Sequence, residues 1–397
     1  MKHTNISSLI MAVILSGMLA GCATQADSKK TAAEQWEKTA LPAKLSTVEN
    51  LIERGQTAEA RETLQKCLQV DPDLAAAHFM MGRVQVIENQ SAEACASFEK
   101  TVALDATFDA AWYHLGVLSF LDGNTEQALD AYQKALALNP AKTEYITAIA
   151  QLYMKTDRIE QARLLLDEKL AQQPQDRDLL LCMAELTHRM GQLDKTTALY
   201  ERVLRINAKD SQIIELLGYC YIAQKDWSNA TRTFERLLEV VDEEARKESV
   251  LNTLALCALN ANRYSQALSC YDKLSLLRRD DAEVWLNMAQ AALGADLPKR
   301  ASYSAQKALL LKPSWPQAYA VLGSAQYLQA EYDEALASFA RVCDDSELGG
   351  FAWFMTGRTY ARLGQTANAD TAYKKAGDRG TDSLLISRFL KTKTDAM

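Results

Sequence analysis

A pattern recurs every 34 residues along most of this chain, and that period constrains the fold more than any bulk property does. Its clearest mark is a column of alanines at Ala60, Ala94, Ala128 and Ala162, then Thr196, then Ala230. After three extra residues near Glu244 to Arg246, the column resumes at Ala267, Ala301, Ala335 and Ala369. A second column, also of small residues, reads Val48, Gly82, Gly116, Ala150, Ala184, Gly218, Ala255, Ala289, Gly323 and Gly357. A bulky column reads Leu64, Phe98, Tyr132, Leu166, Tyr200, Phe234, Tyr271, Ala305, Phe339 and Tyr373. Small side chains in the first two columns permit two antiparallel helices to approach closely, and the bulky side chains fill the space between a helix pair and its neighbour. Four of the seven prolines, Pro72, Pro140, Pro174 and Pro313, share one column at the repeat end, where a missing N–H stops a helix. Composition agrees. Alanine (61) and leucine (54) dominate 397 residues that hold only 16 glycines and 7 prolines, which disfavours the many short strands of a sandwich or barrel.

The stretch Ala111-Trp112-Tyr113-His114-Leu115-Gly116, followed by Gln127-Ala128-Leu129-Asp130-Ala131-Tyr132, Ala135 and Asn139-Pro140, resembles the tetratricopeptide repeat. The resemblance implies an all-α, right-handed superhelical solenoid of about ten helix–turn–helix repeats spanning 41–383, with a short insertion near 244–246. It weakens in the first repeat (Lys44, Thr47, Val48) and in the fifth, where Thr196 replaces alanine. Segment 384–397 reads as a capping helix and tail. Leu384, Leu385, Ile386, Phe389 and Leu390 would cover the end of the stack.

The N-terminus reads as a processing signal. Lys2 and His3 precede an apolar run, Leu9 to Leu15 with Met18 and Leu19, too short for a spanning helix of about 20 residues. Leu19-Ala20-Gly21-Cys22 resembles a bacterial lipobox. That resemblance implies a signal peptide over 1–21, lipidation of Cys22 and a place in the cell envelope. Ala23, where an aspartate would favour the inner membrane, points to an outer-membrane lipoprotein facing the periplasm. Segment 22–40 is polar and reads as a tether, with helix towards Trp36.

No constellation of catalytic, metal or cofactor residues emerges, so the chain reads as a non-enzymatic protein. His78, His114 and His188 fall in different repeats with no metal-binding spacing, and the chain has neither a glycine-rich phosphate loop nor a Gly-x-Ser-x-Gly elbow. Apart from Cys22, seven cysteines remain, an odd number without a CxxC spacing, and most read as small buried hydrophobes. Cys257 and Cys270, on opposite helices of one repeat, are the pair best placed to meet, though free thiols are expected. A formal charge of −7 with no long basic run argues against a nucleic-acid partner.

In the family that the sequence resembles, first helices line a concave wall. Here that wall would carry Phe79, Arg83, Tyr113, Val117, Phe120, Gln151, Tyr219, Gln290 and Phe354, with Met154, Leu286, Leu293 and Tyr327 among its other members. So apolar and aromatic a surface suits a partner protein or peptide, with Gln151 and Gln290 pairing to its backbone. Some family members clamp a C-terminal carboxylate with Lys, Arg and Asn on successive first helices. Tyr113 and Thr147 stand where those residues would be wanted, which disfavours that mode. The expected role is a scaffold in an envelope machine serving pili, secretion, polysaccharide export or the cell wall. A glycan- or exported-polymer-binding accessory module, stacking sugars on the same rings, is the alternative.

Overall fold

The structure is a computed structural model that describes residues 35–379. The signal segment, Cys22 and the segment 384–397 lie outside the described residues. The described residues divide into two compact units, 35–182 and 183–379.

Within unit 1 the helices are α1 (35–53), α2 (Thr57–Val70), α3 (Ala75–Ile87), α4 (Ser91–Leu104), α5 (Asp109–Leu121), α6 (Thr125–Leu138), α7 (Thr143–Lys155) and α8 (Ile159–Gln172). The division falls within α9 (Arg177–Arg189). Unit 2 continues with α10 (Leu193–Ile206), α11 (Ser211–Ala223), α12 (Trp227–Val240), α13 (Glu244–Asn260), α14 (Tyr264–Leu277) and α15 (Ala282–Gly294). It is completed by α16 (Pro298–Leu311), α17 (Pro316–Leu328), α18 (Tyr332–Ala340), α19 (Gly349–Arg362) and α20 (Thr366–Asp378). No strand occurs among the described residues. The fold is all-α, built of helix–turn–helix repeats in which an odd-numbered helix comes first and an even-numbered one second. Residues 35–40, read from sequence as the end of a tether, already belong to α1.

Each first helix ends in the same way. One residue per repeat takes a positive φ between 58° and 81°: Gly55, Asn89, Gly123, Asp157, Gly191, Lys225, Asn262, Asp296, Ala330 and Gly364. The next N–H then reaches back five residues, as in Gln56 N to Leu51 O (2.9 Å), Asp226 N to Tyr221 O (2.9 Å) and Glu331 N to Gln326 O (2.9 Å). This Schellman arrangement satisfies carbonyls that the helix end would orphan. The column is defined by conformation rather than residue type, so residue identity alone does not reveal it. At the other end of the repeat, Pro72, Pro140, Pro174 and Pro313 each lie two residues beyond the last residue of α2, α6, α8 and α16. Their helices stop where sequence placed the stop.

The columns interlock inside each repeat. A Cβ added to Gly82 would stand 2.6 Å from Phe98 Cε1, one on Gly116 2.5 Å from Tyr132 Cδ1, and one on Gly218 2.8 Å from Phe234 Cε2. The bulky ring thus lies flat against the first helix of its own repeat, where only a hydrogen fits. Ala60, Ala94, Ala128, Ala162, Ala230, Ala267, Ala301 and Ala335 are fully buried. Thr196 is buried in the same column and satisfies its hydroxyl by bonding to Gln192 O (3.1 Å) and Thr187 Oγ1 (3.0 Å). A threonine fits because Thr187, on the facing helix, supplies a polar partner. The three extra residues near Glu244 fall at the start of α13, which has 17 residues against 13 in α11 and α15. Burying a Phe or Leu in such a column contributes roughly 1.5–3 kcal/mol.

Candidate functional site

In unit 1 the first helices α3 and α5 place Phe79, Tyr113, Val117 and Phe120 on a half-buried face. Phe79 packs on Phe98 (centroids 5.7 Å apart), Phe108 (4.7 Å) and His114 (5.6 Å). Tyr113 packs on Tyr132 (5.6 Å) and Tyr145 (5.1 Å). The rings pack on these neighbours in tilted geometries, which aromatic pairs favour, and remain half-buried. Phe120 has the Lys155 ammonium 4.1 Å from its ring centroid, and Gln151 is exposed on α7. Arg83, Val117 and Gln151 are 34 residues apart and so occupy one position on α3, α5 and α7.

Charge beside these rings is already committed. Arg83 Nη1 donates to both carboxylate oxygens of Glu49 on α1 (2.7 Å each) and lies 5.9 Å from the Phe79 ring centroid. Glu49 stands 34 residues before Arg83, so opposite charges at one repeat position were the signal for this pair. Asp109 accepts hydrogen bonds from Asn139 Nδ2 (3.1 Å) and the Tyr145 hydroxyl (3.1 Å). Burial opposes its ionisation, but bonds from Asn139, Tyr145 and the Ala110 N–H, with the Lys142 charge, outweigh that and hold its carboxyl below the usual range. His114 stacks on Phe98 (5.0 Å, planes 8° apart). Burial, then the charges of Arg83 and Lys142, push its imidazole down to about 4 and keep it neutral at pH 7. Burial, followed by the Glu144 charge, pushes the Tyr113 hydroxyl up, so it is held as a neutral donor. Sequence reading missed Glu49, Asp109 and Lys155 in this neighbourhood.

In unit 2 the expected wall is plainer. Tyr219 is half-exposed and meets Phe234 edge-on at 5.4 Å, Gln290 is half-buried on α15, and Phe354 packs on Tyr373 at 5.9 Å. The position held by Phe79 and Tyr113 in unit 1 is filled here by Glu215, Asn252, Leu286, Ala320 and Phe354. Four expected wall members belong instead to the interior. Met154 in unit 1, and Leu286, Leu293 and Tyr327 in unit 2, are buried because their side chains point between packed helices.

No disulfide joins Cys67, Cys95, Cys182, Cys220, Cys257, Cys270 or Cys343, and every one except the half-buried Cys95 is buried. Burial pushes the Cys257 thiol up to about 11, so it behaves as a small hydrophobe rather than a nucleophile. Among the described residues, no three His, Cys, Asp or Glu side chains gather as metal ligands. His78 bonds to Pro72 O (2.9 Å), and His188 is exposed.

Sequence profiles agree with this geometry. The tetratricopeptide domain of cytochrome c-type biogenesis protein H matches residues 107–212, and two further tetratricopeptide profiles match 213–248 and 352–376. The chain carries tetratricopeptide repeats. Domains of this kind bind protein partners and are generally non-catalytic. No curated protein sequence matches the chain. Among solved structures, PilF of Pseudomonas aeruginosa is 18% identical, with 54% of this chain and 97% of that one aligned and a TM-score of 0.45. A MamA structure is 20% identical over 43% of this chain and 91% of that one, with a TM-score of 0.38. A tetratricopeptide repeat protein from Parabacteroides merdae is 16% identical over 71% of this chain and 97% of that one, with a TM-score of 0.37. Likenesses of that size extend to no partner and no activity.

Proposed function

We propose that this tetratricopeptide-repeat chain is a non-enzymatic scaffold of the bacterial cell envelope, lipid-anchored at Cys22 and facing the periplasm from the outer membrane. It holds a protein or peptide partner on the ring-bearing face of α3 and α5 and serves the assembly of an envelope machine. One observation carries the binding surface: Phe79, Tyr113, Val117 and Phe120, on successive first helices, stay half-buried where a core would close them. With Arg83 engaged by Glu49, this face favours an apolar or amphipathic segment over a guest carboxylate. The Leu19-Ala20-Gly21-Cys22 run supports the anchor.

Two experiments test the reading. Mass spectrometry of the mature N-terminal peptide should find acyl chains on Cys22, and an unmodified, uncleaved N-terminus would sink the anchor. Pull-down from detergent extract should lose its specific partner on Phe79/Tyr113/Phe120→Ala substitution. Circular dichroism must show that the variant stays folded, since Phe79 and Tyr113 also pack on their neighbours. A folded variant that keeps every partner removes this face from binding. Capture of a polysaccharide instead of a protein would favour the glycan-binding alternative.

A further inference from the structure

One helix of unit 2 carries a charge conflict that neither the fold nor the aromatic face of unit 1 explains. Six residues after the alanine column, every repeat but the fourth places a lysine or arginine. In unit 1 an acid four residues earlier on the same helix answers two of these cations. Lys66 pairs with Glu62 (2.7 Å) and Lys134 with Asp130 (2.7 Å). On α12 the basic position is Arg236, and four residues earlier stands Arg232. No other repeat has a cation at the Arg232 position. Like charges at i, i+4 repel and work against the helix that carries them.

A third cation joins this pair. Arg205, near the end of α10, is also alone as a cation in its column of the repeat. Arg205, Arg232 and Arg236 line one cavity of about 340 Å³ built by α10, α11 and α12. The two exceptional residues, from neighbouring repeats, thus meet on one surface. Among the described residues, Glu201 is the one carboxylate in that lining, and it accepts the Tyr221 hydroxyl (2.7 Å). Glu235 and Glu239 line the adjoining cavity, which Arg232 and Arg236 share with Lys273, and Glu235 there accepts from Gln266 Nε2. Among the described residues, none of the three arginines forms an ion pair.

What positions them is neutral. Arg232 donates to Asn229 Oδ1, and Asp226 holds Asn229 by accepting from its N–H (3.1 Å) and its Nδ2 (2.6 Å). Arg236 donates to the Ala208 carbonyl just beyond α10. Each bond takes one N–H from a guanidinium group that carries several, so most donors stay available.

We propose that this cavity binds a phosphate group. Three arginines against one glutamate leave two positive charges in the lining, which a dianion balances and a single carboxylate does not. Guanidinium groups arriving from both α10 and α12 suit a tetrahedral oxyanion, which offers more acceptor oxygens than a carboxylate. The cavity has more room than a bare phosphate fills, and Leu204 and Leu217 give it an apolar side for the organic part of an ester. A bound phosphate would also quench the repulsion between Arg232 and Arg236. The site depends neither on the N-terminal anchor nor on the unit 1 wall.

Isothermal titration calorimetry of the full chain tests this with sodium phosphate, glycerol 3-phosphate and sodium acetate at equal ionic strength. Both phosphates should bind at a single site, with acetate about tenfold weaker. Tighter binding of glycerol 3-phosphate assigns the site to an organic phosphate, and tighter binding of the inorganic ion assigns it to free phosphate. Arg205→Gln and Arg232→Gln should each weaken phosphate binding about tenfold, and added salt should weaken it further. Both side chains are exposed, so the variants should keep the wild-type fold by circular dichroism. Arg232→Asp restores the acid that unit 1 uses, and should abolish binding while raising the unfolding midpoint. That pairing separates a lost site from a damaged fold. Phosphate should raise the midpoint of the wild type and leave that of Arg232→Asp unchanged. No phosphate binding, acetate binding as tight as phosphate, or affinity unchanged in the glutamine variants overturns the proposal. So does binding of soluble poly-glutamate without binding of either phosphate, which would assign the arginines to an acidic protein.

Discussion

Units 1 and 2 use one repeat template and fill it differently. Unit 1 closes its repeats with rings and ionisable groups that find partners: His114 stacks on Phe98, and Asp109 receives Asn139 and Tyr145. Unit 2 also closes its repeats with rings, among them Phe234, Tyr271 and Phe339, but among the described residues it leaves two buried hydroxyls, Tyr271 and Ser304, without a hydrogen-bond partner. The template sets helix spacing in both. What stands opposite a given column, one repeat away, decides whether a polar atom there stabilises the unit or strains it.

The largest effect should come from the ring-over-glycine contact. Gly116→Ala is expected to destabilise the protein by about 2–3 kcal/mol, because the new Cβ would overlap Tyr132. Unit 2 tolerates the equivalent Gly218→Ala better, since its clearance from Phe234 is larger. Ala150 already stands opposite Leu166, so adding Tyr132→Leu should relieve Gly116→Ala. Denaturant unfolding of the two singles and the double closes the cycle, and additivity of the two changes would mean that the rings do not set the glycines.

Acid should separate the units next. The folded imidazole of His114 is held down to about 4 while the unfolded one titrates near 6.5, so between those values the unfolded chain binds the extra proton. Stability therefore falls as pH drops from about 6.5 to about 4 and is fully present above that window. Hydrogen exchange should show unit 1 opening first. His114→Phe should flatten the slope, and a wild-type slope kept in that variant would assign it to other groups.

A smaller gain is expected in unit 2. Tyr271→Phe removes a buried, unpartnered hydroxyl at a position that Phe98, Phe234 and Phe339 already occupy, and should stabilise by about 1 kcal/mol in thermal unfolding. A loss would point to a buried water holding that hydroxyl. Smallest of all, Ala330→Gly at φ 61° should add about 0.5 kcal/mol by releasing a non-glycine residue from the left-handed region. Gly123→Ala, the reverse change in unit 1, should cost about as much.

The alanine, small and bulky columns announce the helix pairs because the second helix of every repeat meets its partner at the same spacing. Thr196 reads as a defect in sequence and as a satisfied residue in the structure, since Thr187 is visible only once the two helices are paired. On the wall, sequence located Phe79, Tyr113 and Phe120 on first helices but extended the surface to Met154, Leu286, Leu293 and Tyr327. Periodicity gives the face of a helix, while the depth of a side chain depends on how neighbouring helices tilt against it. The left-handed turn residues went unread because Asn, Asp, Lys and Ala share that conformation with Gly, and a backbone angle leaves no fixed residue behind.

The sequence by itself determined an all-α chain of 34-residue helix pairs, the residues that hold each pair together and the stops between repeats. Those features are local: they rest on spacing, side-chain volume and proline's missing N–H. Tertiary structure decided which polar groups are neutral, paired or orphaned. It set Arg83 against Glu49, kept His114 uncharged among rings, and left the Tyr271 hydroxyl buried without a partner among the described residues. Electrostatics and burial act between residues about 30 positions apart, and only the folded repeats bring those residues within reach.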